Sequence, residues 1–292
     1  MNNLFSRRQI IKTGLLTAAG SSLLTNLPAA MSTVAGVVRD GIKDPWVGFK
    51  VGIASYTFRK LSVEDTIKAM QQLALTYISI KDFHLPLTSS ADERKAVIAQ
   101  FINGGITPLS CGNITMENDE ANIRAAFQYA KDCGIPTIVC SPHPDSMAML
   151  DRMVKEYDIR LAIHNHGPED KRFPSPDDVW KAVQPYDKRI GLCIDAGHSA
   201  RAKADPAAAI VKYRERLYDL HFKDISSTEP DGATIQAGRG VLNLPAILQS
   251  LIKIKYDHLL SIEYEGFPDN PLPAVAETMG YLKGMLAVMP KK

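Results

Sequence analysis

Two kinds of hydrophobic pattern take turns along this chain. Short runs of aliphatic and β-branched residues, bounded by turn residues, are followed by longer stretches whose apolar positions repeat at helical spacing. The runs at 50–56, 77–81, 107–111, 137–141, 160–164, 191–195, 218–222 and 259–263 are predicted as strands. Helical patterns lie between or after them, for example at 63–73, 92–102, 120–133, 206–217 and 271–289. Ser62, Asp145 and Ser175 precede helical patterns as N-caps should. Gly105 and Gly134 stand between a helix and the next strand, where helix C-termini favour glycine.

Eight strand-then-helix units with no composition break between them predict an α/β fold, a single (β/α)8 TIM barrel over residues 47–292. A doubly wound open sheet with a second domain is the competing architecture. It would carry a glycine-rich phosphate loop after the first strand, and Ser55-Tyr56-Thr57-Phe58-Arg59 contains no glycine. The composition, 45% apolar and 23% charged, is that of an ordinary globular protein and excludes disorder or a membrane bundle.

The first residues follow neither pattern. Ser6-Arg7-Arg8-Gln9-Ile10-Ile11-Lys12 leads into a mildly apolar stretch ending at Leu24, then Pro28, Ala29 and Ala30, with no acid before Asp40. Residues 1–35 are therefore expected to be a twin-arginine signal peptide, with a linker at 36–46, which sends the protein to the periplasm or otherwise outside. An amphipathic first helix of the fold is the other reading. A membrane anchor in the mature form is not expected, because Gly20, Ser21 and Ser22 interrupt a stretch shorter than the roughly 20 apolar residues a span needs. Twin-arginine export carries folded proteins, which suits an enzyme that acquires a metal first. Removing Arg7, Arg8 and Lys12 from a formal net charge of +2 leaves −1, which argues against a nucleic-acid partner. Cys111, Cys133, Cys140 and Cys193 match no CxxC metal pattern, and no disulfide is expected.

Of seven histidines, His84, His143, His164, His166, His198 and His221 fall at or just past the C-terminal end of a predicted strand, and only His258 does not. That end is the rim on which TIM barrels build active sites. Four segments carry the chemistry: Leu161-Ala162-Ile163-His164-Asn165-His166, Leu192-Cys193-Ile194-Asp195-Ala196-Gly197-His198, Leu220-His221-Phe222-Lys223-Asp224 and Ser261-Ile262-Glu263-Tyr264-Glu265. A carboxylate at the end of an apolar strand is costly to bury unless paired or metal-bound. Imidazoles and carboxylates together suit one divalent metal ion: Mn, Zn, Co or Mg. A web of rim hydrogen bonds without metal is the alternative.

These motifs resemble the xylose-isomerase-like TIM barrels, a superfamily of sugar isomerases and epimerases, inosose dehydratases and endonuclease IV. The resemblance runs from about Val47 to the end of the chain. It implies metal ligands in the order Glu, Asp, His, Glu on strands five to eight, where this chain has His164, Asp195, His221 and Glu263. It implies a substrate-contacting histidine three residues after the aspartate, here His198. It also suggests that Arg239, in the turn Gly238-Arg239-Gly240, holds substrate oxygens. The expected catalytic residues are Glu263, His198, His166 and Lys81, and the expected substrate contacts are His84, Asn165, Lys223, Arg239 and Glu265.

One position departs from the resemblance. His164 stands where the epimerases have a glutamate that is both ligand and catalytic base, so one of two opposed bases is missing unless His166 or Lys81 supplies it. The activity implied is that of a metal-dependent sugar isomerase or epimerase working through an enediolate. A lyase or hydratase eliminating across a keto-sugar or keto-glycoside begins with the same proton abstraction. A non-catalytic periplasmic sugar-binding protein is a further alternative, and a DNA-repair role fits neither charge nor export. The expected partner is a small-molecule carbohydrate, with free sugars and glycosides favoured over sugar phosphates outside the cytoplasm. A homo-oligomer is left open.

Overall fold

A computed structural model describes residues 44–289. The expected twin-arginine signal, and the expected linker as far as residue 43, lie outside the described residues. Asp44 opens a turn in which its carboxylate accepts from the backbone N–H of Trp46 at 3.0 Å and of Gly48 at 2.7 Å. Trp46 already packs on the core, with the Lys283 ammonium 4.9 Å above its ring.

Eight parallel strands close a barrel: β1 (Lys50–Ala54), β2 (Tyr77–Ile80), β3 (Thr107–Met116), β4 (Thr137–Pro142), β5 (Arg160–His164), β6 (Ile190–Asp195), β7 (Leu217–Phe222) and β10 (Leu259–Ile262). A two-stranded antiparallel hairpin, β8 (Asp224–Ile225) and β9 (Thr234–Ile235), stands between β7 and β10. Nine helices accompany them among the described residues: α1 (Val63–Gln72), α2 (Ala91–Asn103), α3 (Glu120–Asp132), α4 (Met147–Tyr157), α5 (Pro176–Val183), α6 (Ala196–Arg201), α7 (Pro206–Lys212), α8 (Leu244–Ile254) and α9 (Leu272–Val288). The barrel strands are buried on both faces, which is why they read as continuous apolar runs rather than as alternating ones. Between sheet and helices lies one continuous core in which Phe101, Phe127 and Ile123 are wholly buried. Cutting a phenylalanine there to alanine costs about 3–5 kcal/mol.

Local signals explain the helix starts. Ser62 accepts from Asp65 N–H, Ser175 from Asp178 N–H, and Ser90 with Glu93 makes a reciprocal capping box. Gly134 follows α3 with φ +65°, a left-handed turn that returns the chain toward β4. Asp145 is not the cap expected of it: Pro144–Ser146 forms a 3-10 turn whose N-cap is His143, and α4 starts only at Met147. The pattern at 206–217 also overruns its helix. The helix α7 ends at Lys212, a 3-10 turn spans Arg214–Arg216, and Leu217 already belongs to β7.

The third strand runs on to Met116, five residues beyond the sequence expectation, because its register against β4 slips between Cys111 and Ile114. Gly112 makes this bulge workable, since a Cβ there would lie 2.0 Å from Val139 O. The bulge carries Asn113 to the cavity described next. All four cysteines are buried and free.

Candidate metal centre and its cavity

Register brings the chemistry together. Asp195 on β6 lies beside His221 on β7, and His164 on β5 beside Cys193 on β6. His164 Nε2 is 3.1 Å from His221 Nδ1 and 3.4 Å from Asp195 Oδ2. His221 Nδ1 is 3.2 Å from Glu263 Oε2 and 3.7 Å from Asp195 Oδ2. Ligand bonds of about 2.0–2.2 Å around a tetrahedral ion set donor atoms roughly 3.3–3.6 Å apart. The four side chains match that spacing, and together they could hold one metal ion.

His164 Nδ1, the ring nitrogen opposite the one that meets His221 and Asp195, is buried without a hydrogen-bond partner. Cys193 Sγ converges on the same two imidazoles as an alternative third donor. Burial pushes its thiol up to about 12. Against the opposing cost of burial, the Lys223 ammonium holds the Asp195 carboxyl well below the usual range, and His221 and Lys223 do the same for Glu263. Although burial opposes it, neighbours that include Glu263 and Asp195 raise His221 well above the ordinary imidazole value, so this donor would have to release a proton to bind a metal.

Lys223 is the second part of the centre. Its ammonium is 2.9 Å from Asp195 Oδ2 and 2.6 Å from Glu263 Oε2, and it also bonds Glu265 Oε1. Burial opposes its charge, yet the three carboxylates raise it well above the ordinary lysine value. Gly197 makes room for it: a Cβ at that position would meet Lys223 Cδ at 2.8 Å. Burial lowers His164 to about 4 and His198 to about 2, so both imidazoles are neutral near pH 7. Arg201 donates to His198 Nδ1 at 2.5 Å, which leaves the His198 proton on Nε2, 3.9 Å from Asp195 Oδ2.

The centre forms the floor of a cavity of about 750 Å³. His166, His198, Lys81, Lys223, Glu263 and Glu265 line it with the candidate donors His164 and His221. The ring of His166 stands 4.9 Å from those of both His164 and His198, and its nitrogens bond no other described residue. Lys81 Nζ donates to Asn113 O at 2.6 Å and lies 3.5 Å from Asp82.

Three expected substrate contacts are placed elsewhere. His84 is buried, its ring nitrogens bonded to Ser55 Oγ at 3.1 Å, Thr66 Oγ1 at 3.0 Å and Phe58 O at 3.2 Å, where it ties the end of β2 to the segment after β1. Asn165 faces away from the cavity, accepting from Asp195 N–H at 3.0 Å and donating to Ser199 Oγ at 3.1 Å, and so locks β5 to β6. Arg239 lies on the surface in an ion pair with Glu277.

The cause for Arg239 is Asp224. Its buried carboxylate accepts from the backbone N–H of Ile225, Gly238 and Gly240, each at 2.9 Å, and of Leu242 at 3.2 Å. The turn wraps around that carboxylate and sends the arginine side chain outward.

Sequence reasoning missed several contributors. Arg201 and its partner Glu169, 2.6 Å apart, line the cavity from segments with no strand pattern to place them. The hairpin tip brings Pro230, Asp231 and Gly232 over the opening. Asp219, two residues before His221, lies buried in the barrel and accepts from Ser110 at 2.6 Å and Ser261 at 3.1 Å. An acid inside an apolar strand was the signal available for it.

A closed parallel barrel with imidazole and carboxylate donors at the C-terminal ends of its strands defines a class of TIM-barrel proteins that build their sites on this rim. The chain belongs to the xylose isomerase-like TIM barrel family, whose sequence model matches residues 56–285. It is similar to the rhizopine catabolism protein MocC of Rhizobium meliloti, 28% identical over 148 residues, which cover 46% of this chain and 45% of that one. It is also similar to inosose dehydratase of Lacticaseibacillus casei, 21% identical over 151 residues, 46% of this chain and 50% of the relative. The chain thus spans about half the length of the curated relatives it matches. Among solved structures, the IolI protein with a bound zinc atom shares the fold at a TM-score of 0.68 and 15% identity, covering 82% of this chain and 98% of that one.

Proposed function

We propose that this protein is a divalent-metal-dependent enzyme that moves a proton at a carbon next to the carbonyl of a sugar, in the manner of a sugar isomerase or epimerase. The observation that carries this reading is the convergence of His164, Asp195, His221 and Glu263 at ligand spacing on the floor of a cavity. When bound, a divalent ion would supply a Lewis acid for a carbonyl and its neighbouring hydroxyl. The names of the relatives, inosose dehydratase among them, and the zinc in the IolI neighbour support sugar chemistry at a metal.

The chain's own groups supply the rest. Glu265, paired with Lys223 at the cavity wall, and Glu263 stand on one side as carboxylate bases. His166 presents unengaged ring nitrogens on the side of His164 and His198. His198, held by Arg201 as the Nε2–H tautomer, is a hydrogen-bond donor to a substrate oxygen. Lys81 reaches the cavity from β2, where it can orient a hydroxyl. An intact set of four donors favours catalysis over simple sugar binding.

A second reading is elimination of a β-substituent from a keto-sugar or keto-glycoside. It is favoured by His164, because a neutral imidazole there removes one of the two opposed carboxylates that inversion at carbon uses, while His166 offers an acid for a leaving group and His198 a hydrogen bond to it. We further propose, on the twin-arginine segment alone, that the enzyme works in the periplasm or beyond.

The test is an NMR screen of purified, metal-loaded protein in deuterated water against oxidised and unoxidised sugars. An isomerase gives a ketose–aldose pair with deuterium at the α-carbon, and a lyase gives an unsaturated keto-sugar with a released group. Absence of any exchange across the panel would reject both readings.

A further inference from the structure

The mouth of the cavity carries an aromatic edge that the proton-transfer chemistry does not use. Tyr56 lines the cavity, and its ring stands 5.8 Å from that of Phe83 at an interplanar angle of 59°. Phe83 is 56% exposed although large and apolar. Arg59 stacks 4.5 Å over Tyr56 and donates to Glu265 O at 2.7 Å, so the edge is tied to the wall of the site. Phe267, next to the lining residue Gly266, is 74% exposed. An exposed ring paired with one that lines a cavity is a surface on which a bound group can pack.

Volume and charge say what would cover it. A hexose has twelve non-hydrogen atoms, and even allowing each the roughly 30 Å³ of a liquid water molecule it fills only about half of a cavity of about 750 Å³. The remaining space has no free cation to recruit a phosphate or carboxylate. Of the cations lining it, Lys81 is held by Asn113 O and Asp82, Arg201 by Glu169, and Lys223 by three carboxylates, while Arg59 beside Tyr56 already donates to the carbonyl oxygens of Tyr56 and Glu265. The carboxylates of Glu169, Asp231, Glu263 and Glu265 outnumber them along the lining. The second occupant is therefore an uncharged group with a flat apolar face, which either side of a pyranose or an aryl ring provides.

We propose that Tyr56 and Phe83 form an outer subsite that stacks a second, uncharged ring, so that the preferred substrate is a glycoside whose reacting ring carries its own ketone, since the anomeric carbon of a glycoside is not a carbonyl, rather than a free monosaccharide or a sugar phosphate. This rests on the sugar-acting reading above and names the substrate class for it. The catalytic floor would hold the sugar that reacts, and the aromatic edge the group attached to it.

The experiment measures binding of phenyl β-D-glucoside and of glucose to the metal-loaded protein by calorimetry, in the wild type and in Phe83→Ala. The wild type is expected to prefer the glucoside, and the variant to lose roughly 2- to 12-fold of that preference, the range an aromatic pair supports. Glucose affinity should not change. Equal affinity for both sugars in the wild type, failure to bind either, or an unchanged preference in Phe83→Ala would overturn the subsite. If the variant instead loses a dimer by light scattering and keeps its preference, the ring belongs to a contact between copies and the proposal fails. Exchange of the α-proton of a free keto-hexose, followed in the same samples, separates the two readings. Exchange without glycoside preference rejects the subsite alone, whereas lack of exchange counts against the proposed function.

Discussion

Arg201 donates to Nδ1 of His198 at 2.5 Å, and so leaves the proton of that imidazole on Nε2, the nitrogen nearer Asp195. The pair sits on one helix, α6, three residues apart, with Glu169 holding the guanidinium from the far side at 2.6 Å. An arginine is never a proton acceptor, so its contact fixes His198 as a donor toward the cavity rather than a base.

His198→Asn should keep its metal, because it is not one of the four converging donors, and should lose roughly 10²–10⁴-fold in kcat/KM, the range for a lost acid–base or polarising group. Arg201→Ala should lower kcat more than it raises KM. The double variant should be little worse than His198→Asn alone, since the arginine acts through the histidine. Additive losses, measured with metal content in all three proteins, would disconnect the two residues.

Alanine at Asp195 or at Glu263 should abolish both bound metal and turnover. Each removal leaves the remaining donors and the buried Lys223 poorly compensated. Stoichiometric metal retained after dialysis, read by elemental analysis, would refute the ligand assignment.

Restoring a carboxylate with His164→Glu should add inversion at carbon to whatever the wild type does, because it returns a base to the face now occupied by imidazole. The readout is the product's stereochemistry by NMR. Efficient epimerisation by the unmodified protein would instead assign the second base to His166 or Lys81.

Asp224→Ala tests the loop rather than the site. Four backbone N–H groups lose one buried acceptor, which should cost about 3 kcal/mol or more and lower Tm by roughly 6–12 °C. Thermal unfolding followed by circular dichroism checks it, and a shift of a degree or less would mean that water replaces the carboxylate.

The barrel was legible because each buried strand is an unbroken apolar run, and the centre because an ionisable residue closes four of those runs. His164, Asp195, His221 and Glu263 needed no knowledge of loops: register alone brings strand ends together. His84 and Arg239 also sit at strand ends or in suggestive turns, but their side-chain directions depend on contacts far along the chain. Ser55 and Thr66 draw His84 inward, and Asp224 turns Arg239 outward. Arg201 and Glu169 meet across 32 residues of chain, a pairing that no periodicity encodes. The bulge at Gly112 and Asn113 was hidden because an extra residue in a strand leaves the apolar pattern on either side intact.

Lys223 and Asp224 are joined by one peptide bond and face opposite ways, the lysine into the carboxylates of the floor and the aspartate into the amides of the loop above. One partner governs chemistry and the other architecture, yet neither can be shifted without its neighbour. A deletion or insertion between Phe222 and Ile225 would exchange their directions and damage both at once. In a randomised library this dipeptide should therefore be the least tolerant stretch of the rim.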